Sequence, residues 1–489
     1  MPAHRHRSIA ALAAATAAAV AAPVLLAAAP AVAHERPAGS TDLARRLVKE
    51  VSAQGAYRHL RTFQRIADAH GGNRAAGTPG HRASSAYVYE TLKKAGYRVA
   101  YQDFDIHEAR TRTEKLAVLG SGARELTTAA FTFTPSTPAG GLTAELAPVR
   151  ADETPGCDAA DYPAGAFTGK IALVKRGSCT FEEKERAAAA AGAAGLVVYN
   201  HSGTTPVRGS FGAPAAGRIP SAGITLADGE ALAAAAAAGG VKVRLDLDQQ
   251  HIKKKTRNVI AETRGGRADR VVAVGSHLDS VPEGPGINDN GSGSAALLEV
   301  ALKLAASKEK VKNKVRFAWW SAEELGLLGS EHYVASLTDR QRRDIALYLN
   351  FDMIASPNPA QFVYDGDDSD HVGAGAGPAG SARIEALING FLDRRGKAHE
   401  GSDFDGRSDY GPFIAQGIPA GGTFTGAEGV KTPEQAARYG GTAGQPYDPN
   451  YHGAGDTLKN LDLKAFDTNL DVVAHAVGTY ARDLGPLAD

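Results

Sequence analysis

Cysteine, methionine and tryptophan are scarce in this chain, whose 489 residues contain two of each. Two cysteines are too few for a sulfur-rich metal site or a disulfide-dense scaffold. Net charge is also absent, because 54 Lys and Arg residues balance 54 Asp and Glu residues, so nucleic acid is not an expected partner. No long apolar run occurs after residue 33, which argues against a membrane-embedded protein.

The N-terminal segment 1–33 differs from the rest of the chain. A basic start, Met1–Arg7, precedes an apolar stretch of Ala, Val and Leu that ends at Ala31-Val32-Ala33. This order is typical of a secretory signal peptide with a small-residue cleavage site. Pro23 interrupts the stretch and no cysteine follows it, so neither a membrane anchor nor a lipid anchor is expected. We predict a secreted, extracellular protein without membrane association.

The two cysteines, Cys157 and Cys179, are 22 residues apart. Oxidising conditions outside the cell allow a disulfide to persist, so we predict that they are paired. Two free buried thiols are the alternative, because sequence spacing does not show that the Cα atoms approach closely enough.

Periodicity and composition divide the mature chain into three parts. Residues 34–134 read as the N-terminal part of an α/β domain. Residues 135–255 read as an inserted, β-rich α+β module without clustered His and carboxylate residues. Residues 256–489 read as the catalytic part, in which strands alternate with helices. This alternation predicts a mixed, mostly parallel sheet sandwiched by helices.

Specific elements follow from these patterns. In the first part, alternation of apolar and polar residues predicts a strand at Tyr97–Ile106. The elements predicted in the last part are strands Asn258–Thr263, Arg270–Ser276, Lys314–Trp320 and Ala346–Phe351, and helices Ser294–Ser307, Glu324–Ala335 and Ala382–Arg395.

Metal-binding side chains follow successive strands of the last part. They are two imidazoles and three carboxylates: His277, Asp289, Glu324, Asp352 and His452. Sites of such sheets lie at the carboxyl ends of the strands, so we expect these side chains to converge. Imidazoles and carboxylates without thiolates suit a pair of borderline to hard divalent ions. The pattern therefore predicts a two-metal site.

Two ions that lie roughly 3.5 to 4 Å apart require a bridging carboxylate. We assign the bridge to Asp289, because a short side chain on a Gly-rich turn can approach both positions. The remaining ligands divide into two pairs, His277 with Asp352 and Glu324 with His452.

Glu323 and Tyr451 are candidates for the chemistry itself. Glu323 is adjacent to a ligand carboxylate and points elsewhere, so we predict that it is the general base, which moves a proton from the attacking water to the leaving group. Tyr451, beside a ligand histidine, is expected to donate its O–H to a developing oxyanion. Asp279 is expected to accept the second imidazole N–H of His277.

Five stretches of the sequence resemble the M28 family of zinc aminopeptidases, most closely its secreted streptomycete members. They are His277–Ser280, Gly286–Gly293, Ala318–Gly326, Asn350–Met353 and Tyr451–His452. The resemblance implies a zinc exopeptidase-like fold, two Zn²⁺ ions at the five ligands, and the same roles for Glu323 and Tyr451. It also implies release of N-terminal residues, large apolar ones such as Leu, from peptides or proteins. We expect a monomer.

The resemblance also implies a substrate pocket. Met353, Gly406 and Phe424 fall where the family lines the pocket for the first side chain, and Arg407 falls where it contacts substrate or product. The acidic residue that holds the free amino group in the family has no clean match. Glu400 is one position away by direct count, and Asp403 is also near.

Calcium binding is a further expectation from the resemblance. Asp467 and Asp471 match calcium carboxylates of the streptomycete enzyme, whereas its N-terminal calcium ligands have no counterpart here. The short disulfide of that enzyme is replaced by Asn450 and Gly455, so we expect a looser loop around Tyr451.

The insertion resembles a protease-associated (PA) domain. The matching stretches are Gly169–Val174, Arg176–Phe181, Gly192–Gly195 and Ile219–Ala222. Domains of this kind are thought to restrict access to a protease site or to bind substrate.

Other functions remain open at this point. A carboxypeptidase could receive a terminal carboxylate at Arg407, and a glutaminyl cyclase could use the same fold with one zinc. A non-catalytic binding protein could use the PA-like module alone, although such proteins usually lose ligands or the base.

Overall fold

The computed structural model describes residues 38–487, except for residues 215, 308 and 372–374. The predicted signal peptide, residues 1–33, lies outside the described residues. Within the described ranges, we find no helix with the length and apolar character that a membrane span requires.

The described residues contain the following helices, several of which begin with a side-chain cap. They are α1 (Ala38–Glu50), α2 (Ala53–Ala69), α3 (Pro79–Lys94), α4 (Phe181–Ala190), α5 (Leu226–Gly239), α6 (Gly291–Ala306), α7 (Leu328–Ser336), α8 (Asp339–Asp344), α9 (Ser381–Arg394), α10 (Gly411–Ile414), α11 (Pro433–Tyr439) and α12 (Leu463–Tyr480). The Thr78 hydroxyl accepts the N–H of His81 at the start of α3, and the Asp462 carboxylate caps α12. Such caps satisfy N–H groups that have no partner within the helix.

The strands of the described residues lie in the insertion and in the α/β domain around it. They are β1 (Arg98–Val118), β2 (Arg124–Leu126), β3 (Thr128–Ala130), β4 (Leu142–Pro148), β5 (Ile171–Lys175), β6 (Gly195–Tyr199), β7 (Ser221–Ile224), β8 (Lys242–Glu262), β9 (Arg267–His277), β10 (Asn313–Trp320), β11 (Ile345–Phe351), β12 (Phe362–Tyr364), β13 (Glu400–Ser402) and β14 (Ala420–Phe424). The order in the C-terminal part is β13-β12-β14-β11-β9-β10-β8.

Parallel pairing sets the register of the central strands. Val272 of β9 lies opposite Val315 of β10 and Leu347 of β11, and both pairs are parallel. The carboxyl ends of these three strands therefore lie at one edge of the sheet. β8 and β12 add antiparallel pairs. The predicted α/β class, with a mixed and mostly parallel sheet, is confirmed.

Both faces of the central sheet are buried. On β10, Trp319 and Trp320 point to opposite faces, and each is at most 1% exposed. The Trp319 indole donates to the Ser294 carbonyl on α6, and the Trp320 indole donates to the Tyr348 hydroxyl. Burial of one large apolar side chain contributes about 1.5–3 kcal/mol, so these rings anchor the strand end that precedes Glu323.

The long ribbon of β1 and β8 extends further than the sequence predicts. The strands pair antiparallel from Arg98 opposite Glu262 to Val118 opposite Val243. The sequence predicts only short strands here, because the polar residues that continue both strands into the insertion do not show a clear apolar alternation. The basic run Lys253–Lys255 lies within β8, where Lys253 and Lys255 pair with Asp105 and Lys254 pairs with Glu108. This run is therefore matched by acidic residues of the neighbouring strand.

The helix predicted to start at Glu324 starts at Leu328 instead, so the prediction is wrong at that boundary. Ala322 and Leu327 have positive φ values of 60° and 62°, and Gly326 has a φ of 100°. These conformations interrupt a helix. Glu323 and Glu324 consequently lie in an irregular turn between β10 and α7.

The insertion has its own apolar core, built on the parallel strands β4 to β7. Cys157 and Cys179 are joined by a disulfide with the Cα atoms 5.9 Å apart, which confirms the predicted pairing.

The fully buried His81 gives the fold a measurable pH dependence. Burial lowers its pKa from 6.5 to about 4, and its Nε2 atom lies 3.2 Å from the Arg257 carbonyl oxygen. The unfolded chain therefore binds more protons between these pH values, so this contribution to stability is complete above pH 6.5 and is lost toward pH 4. Urea unfolding measures this effect. When the pH falls from 7.5 to 4.5, the free energy of unfolding of His81→Gln should decrease by roughly 2–3 kcal/mol less than that of wild type. Equal losses in the two proteins would contradict a neutral buried His81.

Candidate metal centre

The predicted ligands lie where the central strands end. His277 is the last residue of β9, Asp352 follows β11, and Glu324 lies in the turn after β10. Asp289 lies two residues before α6, and His452 belongs to the loop that precedes α12. The parallel register brings the first three together, and tertiary contacts bring the other two to them.

Asp289 lies between the two imidazoles. Its Oδ1 atom is 3.2 Å from His277 Nε2, and its Oδ2 atom is 3.3 Å from His452 Nε2. His277 Nε2 is also 3.2 Å from Asp352 Oδ1, and His452 Nε2 is 3.0 Å from Glu324 Oε2. The structure thus brings all five predicted ligands together in the two pairs expected, with Asp289 common to both.

The donor set fits divalent cations. All three carboxylates are almost entirely buried, and Glu324 Oε1 has no hydrogen-bond partner. Burial, and then the charge of Asp289, raise the pKa of Glu324 to about 8. A buried carboxylate cluster of this kind requires compensating positive charge. Oxygen and imidazole nitrogen atoms are suitable ligands for zinc.

Glu323 lies at the side of this cluster. Its Oε2 atom is 3.8 Å from His277 Nε2, and its side chain keeps 10% of its surface exposed. Burial raises its pKa well above the usual range. The main-chain N–H of Glu323 donates to Asp279 Oδ1 at 3.4 Å. A carboxylate in this position can reach both the cluster and a molecule that enters from solvent.

Asp279 supports the site in a different way from the one predicted. The nearest acceptor to His277 Nδ1 is the main-chain carbonyl of Asp279 at 3.2 Å, and the carboxylate lies at 3.8 Å. Either group orients the imidazole so that Nε2 faces the cluster.

Comparison with known proteins identifies the family. Residues 258–477 match the family model of peptidase family M28, and residues 142–232 match that of the PA domain. A probable lipoprotein aminopeptidase of Mycobacterium tuberculosis is 45% identical over 442 residues, which cover 90% of this chain and 87% of the relative. The chain belongs to peptidase family M28. The predicted resemblance to this family and to the PA domain is confirmed.

Two further M28-like proteins extend the comparison. A probable leucine aminopeptidase 2 of Arthroderma benhamiae is 45% identical over 423 residues, which cover 86% of this chain and 83% of the relative. The solved structure of a zinc aminopeptidase from Bacillus subtilis is 27% identical, with a TM-score of 0.60 and coverage of 87% of this chain and 94% of that chain. The prediction of a metallo-aminopeptidase is confirmed at the level of the family.

Arg407 and Tyr451 meet beside the cluster of this M28 peptidase. Arg407 Nη2 donates to the Tyr451 hydroxyl at 3.3 Å and pairs with Glu428 Oε1 at 2.9 Å. The Tyr451 ring stacks on His452 with the ring centroids 3.8 Å apart. Glu428 was not predicted, and no motif around it indicated this role.

The other residues predicted to line the substrate pocket do not all lie beside the cluster. Met353 directly follows the predicted ligand Asp352 and is 3% exposed, and Phe424 stacks on Phe362 with the ring centroids 5.9 Å apart. Gly406 has a φ of 80° and precedes Arg407. Glu400 accepts hydrogen bonds from Gln435 and Arg438, which lie on α11 and not in the metal cluster.

Two residues near the cluster were missed. The Ser408 hydroxyl donates to Asp352 Oδ2 at 2.6 Å and accepts from Asn350 Nδ2 at 2.8 Å, so it orients the carboxylate of a predicted ligand. Asp409 is 1% exposed, and burial raises its pKa to about 7. Their position directly after Arg407 was the available signal.

The two carboxylates predicted to bind calcium have different protein partners. Asp471 pairs with Arg395 at 2.6 Å, whereas Asp467 accepts the main-chain N–H of Ala53 at 3.3 Å. Within the described residues they form no group of three potential ligands, so calcium binding remains only an expectation.

Proposed function

We propose that this M28 peptidase is a secreted di-zinc aminopeptidase, which releases large apolar residues such as Leu from the N-termini of peptides and proteins. The observation that carries the proposal is the position of Asp289, each of whose carboxylate oxygens faces a different imidazole. A bridging carboxylate with one pair of ligands on each side is the arrangement that two neighbouring ions need.

Each pair of ligands would hold one ion, with His277 and Asp352 on one side of Asp289 and Glu324 and His452 on the other. Zinc ions bound there supply Lewis acidity, which polarises the scissile carbonyl and lowers the pKa of water.

Glu323 acts as the general base. Its carboxylate takes a proton from the attacking water and delivers it to the nitrogen of the leaving amine, so that the C–N bond breaks without expelling an amide anion. The Tyr451 hydroxyl donates a hydrogen bond to the developing oxyanion. The contact between Arg407 and the Tyr451 hydroxyl supports this role, because the cation fixes the phenol at the rim of the cluster.

The preference for large apolar residues is supported by two observations. Phe424 on β14 is only partly buried and offers apolar surface, and one relative is named a probable leucine aminopeptidase. Secretion is supported by the leader sequence and by the disulfide between Cys157 and Cys179.

Paired substrates test the proposal. Purified protein with its native metals should hydrolyse Leu-p-nitroanilide but not N-acetyl-Leu-p-nitroanilide, because only the first has a free amino group. Chelation with 1,10-phenanthroline should abolish the activity, and zinc should restore it. Hydrolysis of N-blocked peptides with a free C-terminus, without release of N-terminal residues, would support a carboxypeptidase instead. Fewer than one zinc per chain together with no turnover would refute the proposal.

A further inference from the structure

Asp456 is a buried carboxylate that binds the turn carrying Asp289. It is 2% exposed and lies four residues after His452. Its Oδ1 atom accepts the main-chain N–H of Asn288 at 2.7 Å, and its Oδ2 atom accepts the main-chain N–H of Asp289 at 3.0 Å. The main-chain N–H of Ile287 donates to the Asp456 carbonyl at 3.1 Å. Three consecutive amides of the ligand turn therefore end on one residue.

Amide side chains extend this contact into a buried network. Asn288 Nδ2 donates to Asp448 Oδ2 at 2.7 Å. Asn460 Nδ2 lies within 2.9–3.3 Å of oxygens of Asp448 and Asp456, and Asn460 Oδ1 accepts from Asn450 Nδ2 at 2.7 Å. The network connects both ends of the loop 448–460 to the turn 287–289. Hydrogen bonds thus hold the loop at the position where the sequence lacks a disulfide.

The two connected segments carry different ligands. Asp289 belongs to the turn, and His452 belongs to the loop. His452 keeps 42% of its side-chain surface exposed and has a φ of 54°, so neither burial nor a regular strand fixes it. The stretch just before the turn also packs closely against the loop, because a Cβ atom on Gly284 would lie 2.1 Å from the Gly453 carbonyl oxygen. The separation of 3.3 Å between His452 Nε2 and Asp289 Oδ2 therefore depends on the contacts between these segments.

We infer that Asp456 is a positioning residue, which fixes the bridging Asp289 relative to His452 and so forms the ion site on the His452 side. The inference rests on the proposed di-metal function. Asp456 contacts neither the reacting atoms nor a ligand side chain, and it acts through the main chain of Asp289.

Asp456→Asn tests this role. The substituted amide has a single acceptor oxygen, so one of the two main-chain N–H groups would face an NH₂ group. Loss of a residue that orients metal ligands typically weakens metal affinity by about 10- to 100-fold. We expect a loss of this size for one of the two zinc ions in a chelator competition, and a fall in kcat with little change in KM.

Asp462→Asn is the matched control. Asp462 also accepts two main-chain N–H groups, from Lys464 and Ala465 at 2.8 and 2.9 Å, but it caps α12. This variant should bind both zinc ions with wild-type affinity. If Asp456→Asn also binds both ions as tightly as wild type and keeps kcat, or if the two variants lose only stability, the inference is overturned. Absence of zinc from the wild-type protein would instead refute the proposed function.

Asn460→Ser keeps the test decisive if Asp456→Asn does not fold. It removes the amide donor shared by the Asp448 and Asp456 carboxylates, and it leaves the main-chain contacts of Asp456 intact. We expect a zinc affinity roughly 3- to 10-fold weaker than wild type, at the lower end of effects from such supporting residues. Unchanged affinity of the folded variant would overturn the inference.

Discussion

Glu323→Gln should lower kcat for Leu-p-nitroanilide by about 10²- to 10⁴-fold, which is the usual contribution of a general base. Glutamine keeps the shape of the side chain but cannot take a proton from water. The variant should still hold two zinc ions per chain, because the five ligands remain in place. Metal analysis and steady-state kinetics on the same preparation measure both quantities, and KM should change little.

The metal content decides between two roles for Glu323. Its carboxylate lies within reach of His277 and Asp352, so the geometry also allows it to bind an ion. Loss of an ion from Glu323→Gln would assign it as a ligand, and normal turnover would exclude it as the base. Glu331→Gln is the control, because Glu331 lies on the surface of α7 and both activity and metal content should stay at the wild-type level.

The convergence of the ligands could be predicted because strand topology constrains it. His277, Glu324 and Asp352 follow parallel strands, and any parallel sheet brings such residues to one edge. The position of Asp289 between His277 and His452 could also be predicted, since a short carboxylate on a Gly-rich turn at that edge can approach both. The ligand set also predicts the pairing of His452 with Glu324, although the long chain between β14 and α12 gives no local signal.

The residues that support the centre could not be predicted in the same way. Arg74 is fully buried, and its guanidinium donates to the carbonyls of Leu278, Pro285 and Gly286. In the sequence, this arginine follows a Gly-rich break and looks like a surface loop residue. Its partners are main-chain carbonyls more than 200 residues away, and main-chain acceptors leave no mark in the sequence. Asp456 was missed for the same reason.

Backbone conformation explains the wrong helix boundary at Glu324. The apolar spacing of residues 324–335 fits a helix, but the left-handed residues Ala322 and Leu327 delay its start. That delay places both glutamates in an irregular turn, where Glu324 contacts His452 and Glu323 lies beside His277. At this position the backbone conformation required by the site therefore overrides the helix preference of the local sequence.

Asp289→Asn should have the largest effect on metal binding. Asparagine provides one oxygen in place of two and no charge, so it cannot face both His277 and His452 as a bridging ligand. We expect at most one zinc per chain and a fall in kcat/KM on the order of 10³-fold, because Lewis acidity contributes several kcal/mol to stabilising the transition state. Metal analysis after dialysis, together with kinetics in excess zinc, measures both effects.

Asp409→Asn is the control that shows whether Asp289→Asn loses zinc because a bridging ligand is removed or only because a negative charge is removed. Asp409 is another buried carboxylate near the cluster, and burial raises its pKa to about 7. At about pH 8.5, above that pKa, its substitution removes a negative charge without removing a predicted ligand. If negative charge alone attracts the ions, both variants should lose zinc to the same extent. If Asp289 joins the two ions, Asp409→Asn should keep both of them, while metal-free Asp289→Asn should be at least as stable as metal-free wild type because repulsion among the carboxylates is reduced. Two tightly bound zinc ions in Asp289→Asn would show that the bridge lies elsewhere.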